Sequence, residues 1–475
     1  MIRKSIATVF KIGAAVVLLF VLLFIDKISS SPTNFISPFL REVAAIFQDS
    51  MTEWMVFLCL GIYFTALCFL RSRGESSSTQ RHKDAKVKWW LIYVLLSSAV
   101  LYAVRYSPST QALTLLGGAV IGQGVALWTD FNAKLKPLPT FRFPFLLIYL
   151  LAFMLALASV WQTEISHNFA YHGHARWSGP WDNPNNFGLL MGTGFSLALA
   201  LGVGRWKMEN GESKEVDKNW ELKFTRYFCA FLCLLAATLT ARGLFHSYSR
   251  GAWLATACGV AYIFWSTVRS PQSMVSDHSC DSRVSWLKNN WFSVGVILFS
   301  VVVLSFWQFR QANWHPARRA FSAVNAVDFS WRNRIAAWQS AMQITAEHPW
   351  FGTGWNQLEP LYEHYYLPSK LTESAAIQMN DYLMLGATLG IPALFCFGMY
   401  LWLSLIKDLK LQTTNGKPLE TDWLQTTCRA GAIVLMVGFW FDGGLFKLAT
   451  ASTFWILLEL GSVSNHEIHQ THENA

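Results

Sequence analysis

Two arginines stand where their chemistry has an obvious use. Arg250 lies in Ser247-Tyr248-Ser249-Arg250-Gly251, at the mouth between two apolar runs, and Arg334 lies four residues before Trp338 in a polar loop. A guanidinium stays charged at any working pH, and its planar fork of N–H donors matches phosphate oxygens. Position alone reads Arg250 as a side chain snorkelling to the membrane interface and Arg334 as a solvated surface cation. The other candidates are acids and histidines. Asp381 opens an apolar run, His364 lies in Glu363-His364-Tyr365-Tyr366, Glu373 is close by, and Asp442 falls within a late apolar run between Phe441 and Gly443. An acid at a helix start is favoured by the helix dipole, and an acid inside a membrane segment is a functional candidate by default. His167, His172 and His174 form a loose group without carboxylates at ligand spacing, so no metal site is read there, and no cofactor is implied.

The elements that must position these residues are membrane helices. Hydrophobic residues make up 53% of the 475-residue chain, with 23 Trp and 35 Phe, while charged residues fall to 14%. The apolar residues come in blocks of about 17 to 25, each long enough to cross a hydrocarbon core. They are apolar on every face, which excludes the alternating pattern of a barrel. The spans expected are 9–25, 52–70, 89–104, 110–129, 144–162, 187–204, 227–243, 251–268, 290–308, 380–406, 430–446 and 448–462. The fold class is therefore all-α: a polytopic integral membrane protein of about twelve transmembrane helices. It divides into 1–308 with helices one to nine, a large external loop 309–379, helices ten to twelve over 380–462, and a tail 463–475. The first run follows Arg3, Lys4 and Lys11, and is read as a retained helix because no small-x-small cleavage site closes it.

The formal charge of +9 invites a nucleic-acid reading until the charges are placed. Most of the 38 Lys and Arg fall on one side of this topology, the side that a positive-inside rule makes cytoplasmic. The excess is then explained by orientation and by anionic membrane lipids, with both termini cytoplasmic and no nucleic-acid partner. Cys59, Cys68, Cys229, Cys233, Cys258 and Cys396 fall in expected spans and Cys280 and Cys428 in cytoplasmic loops, so no disulfide framework is expected.

Within the long loop, 331–348 reads as a helix with Ile335, Trp338, Met342 and Ile344 on a partly apolar face, lying on the membrane surface or capping the spans. Pro349 ends it, and Trp350-Phe351-Gly352-Thr353-Gly354-Trp355 reads as a backbone turn. No internal repeat appears, which disfavours a transporter built from duplicated halves.

Taken together, three segments resemble the family of O-antigen ligases and O-antigen polymerases. Ser249-Arg250-Gly251-Ala252-Trp253 looks like the family's Ser-Arg-Gly motif at the start of a span. Arg334-Ile335-Ala336-Ala337-Trp338, followed by His348-Pro349-Trp350-Phe351-Gly352-Thr353-Gly354, looks like its loop signature. Gly179-Pro180-Trp181-Asp182-Asn183-Pro184-Asn185-Asn186 is similar to its Asn-Pro-Asn segment before a span. The resemblance covers roughly 170–400 and implies a GT-C-like fold in a bacterial inner membrane, with a periplasmic loop before the tenth span.

It further implies a metal-free glycosyltransferase that moves a glycan from a polyprenyl diphosphate donor to an acceptor hydroxyl. Lipid A core is the first acceptor considered. A growing glycan (polymerase) and a protein (O-oligosaccharyltransferase) are the others, and a non-catalytic binder or transporter of lipid-linked glycan is a different class. A sugar diphosphate leaves as a stable anion, so cations matter more than a general acid. Arg250 and Arg334 are thereby assigned to the diphosphate, and Ser249, Trp338, Asn183, Asn185 and Asn380 to substrate binding. The sequence departs from the family at one place. The loop usually closes with His directly before Asn, whereas this chain reads Gln378-Met379-Asn380. His364, Glu373 and Asp381 are the candidates to replace that base, and a strongly activated donor could need little help from one.

Overall fold

The computed structural model describes Gly13, Ala15, Val16, Leu18, Leu19, Phe20 and Leu23, then residues 110–134, 143–160, 175–181, 183–209, 220–269, 329–371, 376–377, 380–405 and 420–462. Among the described residues every regular element is helical. The expected spans 52–70, 89–104 and 290–308 lie outside them, as do His167, His172, His174, Glu373, Gln378 and Met379.

The helices are α1 (Thr110–Lys134), α2 (Phe143–Val160), α3 (Pro184–Glu209), α4 (Trp220–His246), α5 (Arg250–Arg269), α6 (Phe329–Glu347), α7 (Leu358–Leu361), α8 (Asp381–Leu389), α9 (Ile391–Leu405), α10 (Glu420–Phe441) and α11 (Leu448–Leu460). Three contain stretches long and apolar enough to cross a membrane: Pro184–Gly204, Tyr227–His246 and Trp423–Phe441. The central helix is α3, packed by α4, α5, α10 and α2. Its start is written in the sequence, because Pro184 suits the first helical turn and the Asn183 side chain accepts from the amides of Asn185 (2.8 Å) and Asn186 (3.4 Å). On the outside of the bundle α4 leaves Tyr227, Phe228, Phe231, Leu234 and Leu235 exposed, an apolar surface suited to lipid.

Two expected spans are corrected. The run 380–406 is not one helix. It reverses at Gly390, whose φ of 88° belongs to the left-handed region, and Pro392 follows in the first turn of α9, where its missing N–H costs nothing. The result is a helical hairpin: a Cβ on Gly386 of α8 would lie 3.3 Å from Leu394 of α9, and the rings of Tyr382 and Phe397 stand 6.2 Å apart. The run 430–446 is also displaced. Helix α10 begins at Glu420 and ends at Phe441, so Cys428, expected in a cytoplasmic loop, is wholly buried within it beside Arg429. At its far end Gly443 and Gly444 (φ 71° and 135°) turn the chain into α11.

Helix α6 caps this end of the bundle and runs in the same direction as α8. The buried face differs from the expected one. Asn333, Ala337, Ala341 and Ile344 form the buried stripe, while Ile335 and Met342 are exposed. The turn after Pro349 locks the pair: Thr353 and Gly354 donate their amides to the carbonyls of Ala387 (2.9 Å) and Thr388 (3.0 Å), and Ile391 donates to Pro349 (2.7 Å). These bonds satisfy carbonyls that the end of α8 would otherwise leave open.

Candidate functional site

The loop between α4 and α5 holds the first half of the site. Ser247 closes α4 by donating to the Leu244 carbonyl (2.7 Å) and accepts from the Ser249 amide (3.2 Å). Tyr248 between them adopts φ 51°, an uncommon conformation for a bulky residue and a sign that the turn is held from outside. The brace is visible: Arg176 donates through Nε to the Ser247 carbonyl (2.8 Å) and through Nη2 to Asn185 Oδ1 (2.6 Å). Trp177 donates its amide to the His246 carbonyl (2.9 Å) and stacks on the His246 ring at 4.1 Å, with the Arg242 guanidinium 5.2 Å from the Trp177 ring. Asn183 and Asn185 therefore cap α3 and anchor the turn.

Ser249 caps α5, its Oγ accepting from the Ala252 amide at 3.2 Å, and the same hydroxyl donates to Asp442 Oδ2. Arg334, in the first turns of α6, donates from Nη2 to Asp442 Oδ1 at 3.0 Å. Asp442 thus joins residues 193 and 108 positions away in the chain. It sits one residue past α10, with its side chain 1% exposed against 10% for that of Arg334. Gly251 explains how the acid comes so close. This glycine lies within the first turn of α5. A Cβ there would strike the Asp442 carboxylate and approach the Phe441 Cβ at 2.8 Å. The Ser-Arg-Gly triplet is thereby resolved: Ser249 and Gly251 both receive Asp442, and the half-buried Arg250 between them opens α5.

The second carboxylate supports the first. Asp381 is 2% exposed and accepts from the Leu445 amide at 2.7 Å, tying the start of α8 to the turn that carries Asp442. Asn380 caps α8 through Oδ1, which accepts from the amides of Tyr382 (3.1 Å) and Leu383 (3.0 Å). An aromatic series closes the side of the site: Trp331 to Trp338 at 5.6 Å, Trp338 to Trp440 at 6.0 Å, and Trp440 to Tyr382 at 6.0 Å.

The structure therefore brings Arg334, Trp338 and Ser249 together, with Arg250 adjacent in the chain and Asp381 and Asn380 one turn of backbone away. It does not bring His364 to them. That residue is exposed on the single π turn Tyr362–Tyr366, which Tyr366 ties to Glu347 at the far end of α6. Thirteen residues separate Arg334 from Glu347, about 20 Å along the helix. The hydrogen bonds from Tyr366 and Gln343 hold the Glu347 carboxyl below its usual range, and the same contact raises the Tyr366 phenol. No cluster of His, Cys, Asp or Glu suited to a metal occurs among the described residues.

What sequence reasoning undervalued is Asp442, and it passed over Arg176. The available signals were an acid followed by two glycines after an apolar run, and an arginine beside the Gly-Pro-Trp segment.

The helices define a multi-pass membrane protein with a buried, charged centre at one end of its bundle. The O-antigen ligase family model matches residues 234–398, from the second half of α4 into α9, about a third of the chain. The matched segment holds Ser249, Arg250, Arg334, His364, Asn380 and Asp381, whereas Asp442 lies beyond its end. No curated protein matches the chain at a significant level.

Proposed function

We propose that this protein is an O-antigen ligase-like glycosyltransferase of the bacterial inner membrane. It transfers a glycan from a polyprenyl diphosphate to an acceptor hydroxyl, lipid A core first, on the periplasmic side. The observation that carries the reading is the placement of Arg334: a guanidinium largely removed from water, aimed by Asp442 and set beside the turn that presents Arg250. In the reaction the acceptor oxygen bonds to the anomeric carbon while the bond from that carbon to the phosphate oxygen breaks. The electron pair leaves with the diphosphate and the hydroxyl proton passes to solvent. The charge that grows in the transition state is on the diphosphate, so cations held where it departs lower the barrier where it matters.

Asp442 neutralises part of Arg334 and so acts as a positioning residue, holding the fork in one orientation before donor arrives. Asp381, committed to the Leu445 amide, serves the same end at one remove. Trp338 contributes an aromatic face, and Asn183 and Asn185 contribute by fixing the turn that carries Ser249 and Arg250. His364 lies on the turn tied to Glu347, away from Arg334, and a strongly activated donor lessens the need for a base.

The function is tested in a deletion strain of the source bacterium by following where its glycan resides. The expected result is glycan retained on polyprenyl diphosphate at its normal chain length and absent from lipid A core. Glycan reaching lipid A core undiminished would overturn the ligase reading, and retention only as single repeat units would replace it with a polymerase.

A further inference from the structure

Helix α6 buries one residue that its packing does not call for. Asn333 is 1% exposed and continues the stripe Ala337, Ala341, Ile344 that seats α6 on α8, yet neither its Nδ2 nor its Oδ1 has a hydrogen-bond partner. An amide withdrawn from water with its valences open costs about 1–3 kcal/mol, and alanine would fit the stripe without that cost.

Asn333 is not isolated in this respect. Asn380 spends its Oδ1 on its own helix cap, which fixes the orientation of the amide and leaves Nδ2 buried without an acceptor. Arg334 Nε and Trp338 Nε1 are likewise buried donors without acceptors. Arg334 and Trp338 on α6 meet the end of α10 through Asp442 and Trp440, Trp440 meets Tyr382 two residues after Asn380, and Asn333 adjoins Arg334 in the chain. The site thus offers three donors and one amide that both donates and accepts, near the edge-to-face rings of Trp338 and Trp440.

A bare phosphate supplies acceptors only and leaves Asn333 Oδ1 open. A hydroxylated ring supplies acceptors, donors and an apolar C–H face in one ligand.

We propose that Asn333, together with Nδ2 of Asn380, recognises hydroxyls of the sugar joined to the diphosphate, making Asn333 a specificity-determining residue for the donor. This rests on the transfer reading above and adds a sugar end to its diphosphate end. A site built to hydrogen-bond a hydroxyl rejects the analogue that lacks it.

The test uses the full-length protein in proteoliposomes, with a polyprenyl diphosphate hexose and its deoxy analogues, one hydroxyl removed at a time. Asn333→Ala is expected to melt no lower than wild type and to raise KM for the hydroxylated donor about tenfold. For one deoxy analogue the variant and wild type become equal, and inhibition by sugar-free polyprenyl diphosphate is unchanged. An equal effect on every donor, altered inhibition by the sugar-free lipid, or a lowered melting temperature with unchanged KM would each overturn the proposal. If wild type makes no product, the transfer reading fails separately, and native mass spectrometry of the same lipids decides the sugar site. Retention of the hexose lipid by wild type and its loss in Asn333→Ala supports the site, and equal retention or none in either overturns it.

Discussion

Stability and function are expected to separate at the Arg334–Asp442 pair, and a double-mutant cycle with hydrophobic replacements tests it. Two unit charges about 4 Å apart attract by about 4 kcal/mol at an effective dielectric near 20. The pair here is closer, with nitrogen and oxygen at 3.0 Å and both side chains largely removed from water. Removing one partner strands the other as a buried charge, which costs about 3–5 kcal/mol. Arg334→Met and Asp442→Leu are therefore each expected to lower the melting temperature of the purified protein by several degrees. The double variant removes both charges and leaves apolar groups of similar volume, so it should recover most of that loss, because a buried pair is often no more stabilising than a hydrophobic replacement. Activity should not recover. The double variant lacks the cation that meets the diphosphate, and glycan transfer should stay at background. The assay is thermal unfolding in detergent alongside transfer in proteoliposomes. Melting shifts that simply add would refute the reasoning about the pair. A double variant that transfers glycan at the wild-type rate would refute the role given to Arg334.

Other substitutions follow from the same contacts. Ser249→Ala loses a hydrogen bond to a charged acceptor and a helix cap, about 2–3 kcal/mol together, and should show a lowered melting temperature with KM for donor raised. Gly251→Ala drives a methyl group into the Asp442 carboxylate and should destabilise by about 1–3 kcal/mol and cut activity, whereas Gly398→Ala, where a Cβ meets nothing within 4 Å, should do neither. The Tyr366–Glu347 tie should respond to pH in a defined direction. Because the Glu347 pKa is depressed, its contribution is full above the ordinary carboxylate value and is lost as pH falls through the lower folded value. Because that of Tyr366 is raised, its contribution is full below the ordinary phenol value and is lost as pH rises through the higher one. Hydrogen exchange at 362–366 should therefore stay protected through the neutral range and rise in strong acid, and Tyr366→Phe should remove that dependence.

The membrane-crossing stretches of α3 and α4, and the whole of α5, were legible within about three residues, since each couples an apolar run to a readable end: Asn183-Pro184 at the start of α3, and Ser249 between α4 and α5. The break at Gly390 was not, because hydropathy measures only apolarity and Leu389-Gly390-Ile391-Pro392 is apolar throughout. The glycine and proline were the signal that the average concealed. Helix α10 was started ten residues late for the opposite reason. Gln425, Thr426 and Arg429 look like loop residues, yet all three are buried. On α6 the large apolar residues were taken for the packing face, whereas close approach to α8 selects the small ones. For the site, Arg250, Arg334 and Ser249 were found through motifs, but nothing in the sequence joined Arg334 and Ser249 to Asp442 as their common partner. No local spacing reveals Asp442, whose contacts cross 108 and 193 residues, and only the folded chain shows it under Gly251.

The central claim is that fixed arginines at the end of this bundle stabilise a departing lipid diphosphate. Its most direct measurement is glycan transfer by the purified protein in proteoliposomes, with polyprenyl diphosphate glycan as donor and lipid A core as acceptor. Wild type, Arg250→Ala and Arg334→Ala are compared at saturating donor. The account predicts transfer by wild type and a loss of at least a hundredfold in kcat for each variant, roughly 2.7 kcal/mol of transition-state stabilisation. Transfer at the wild-type rate by both variants would contradict it.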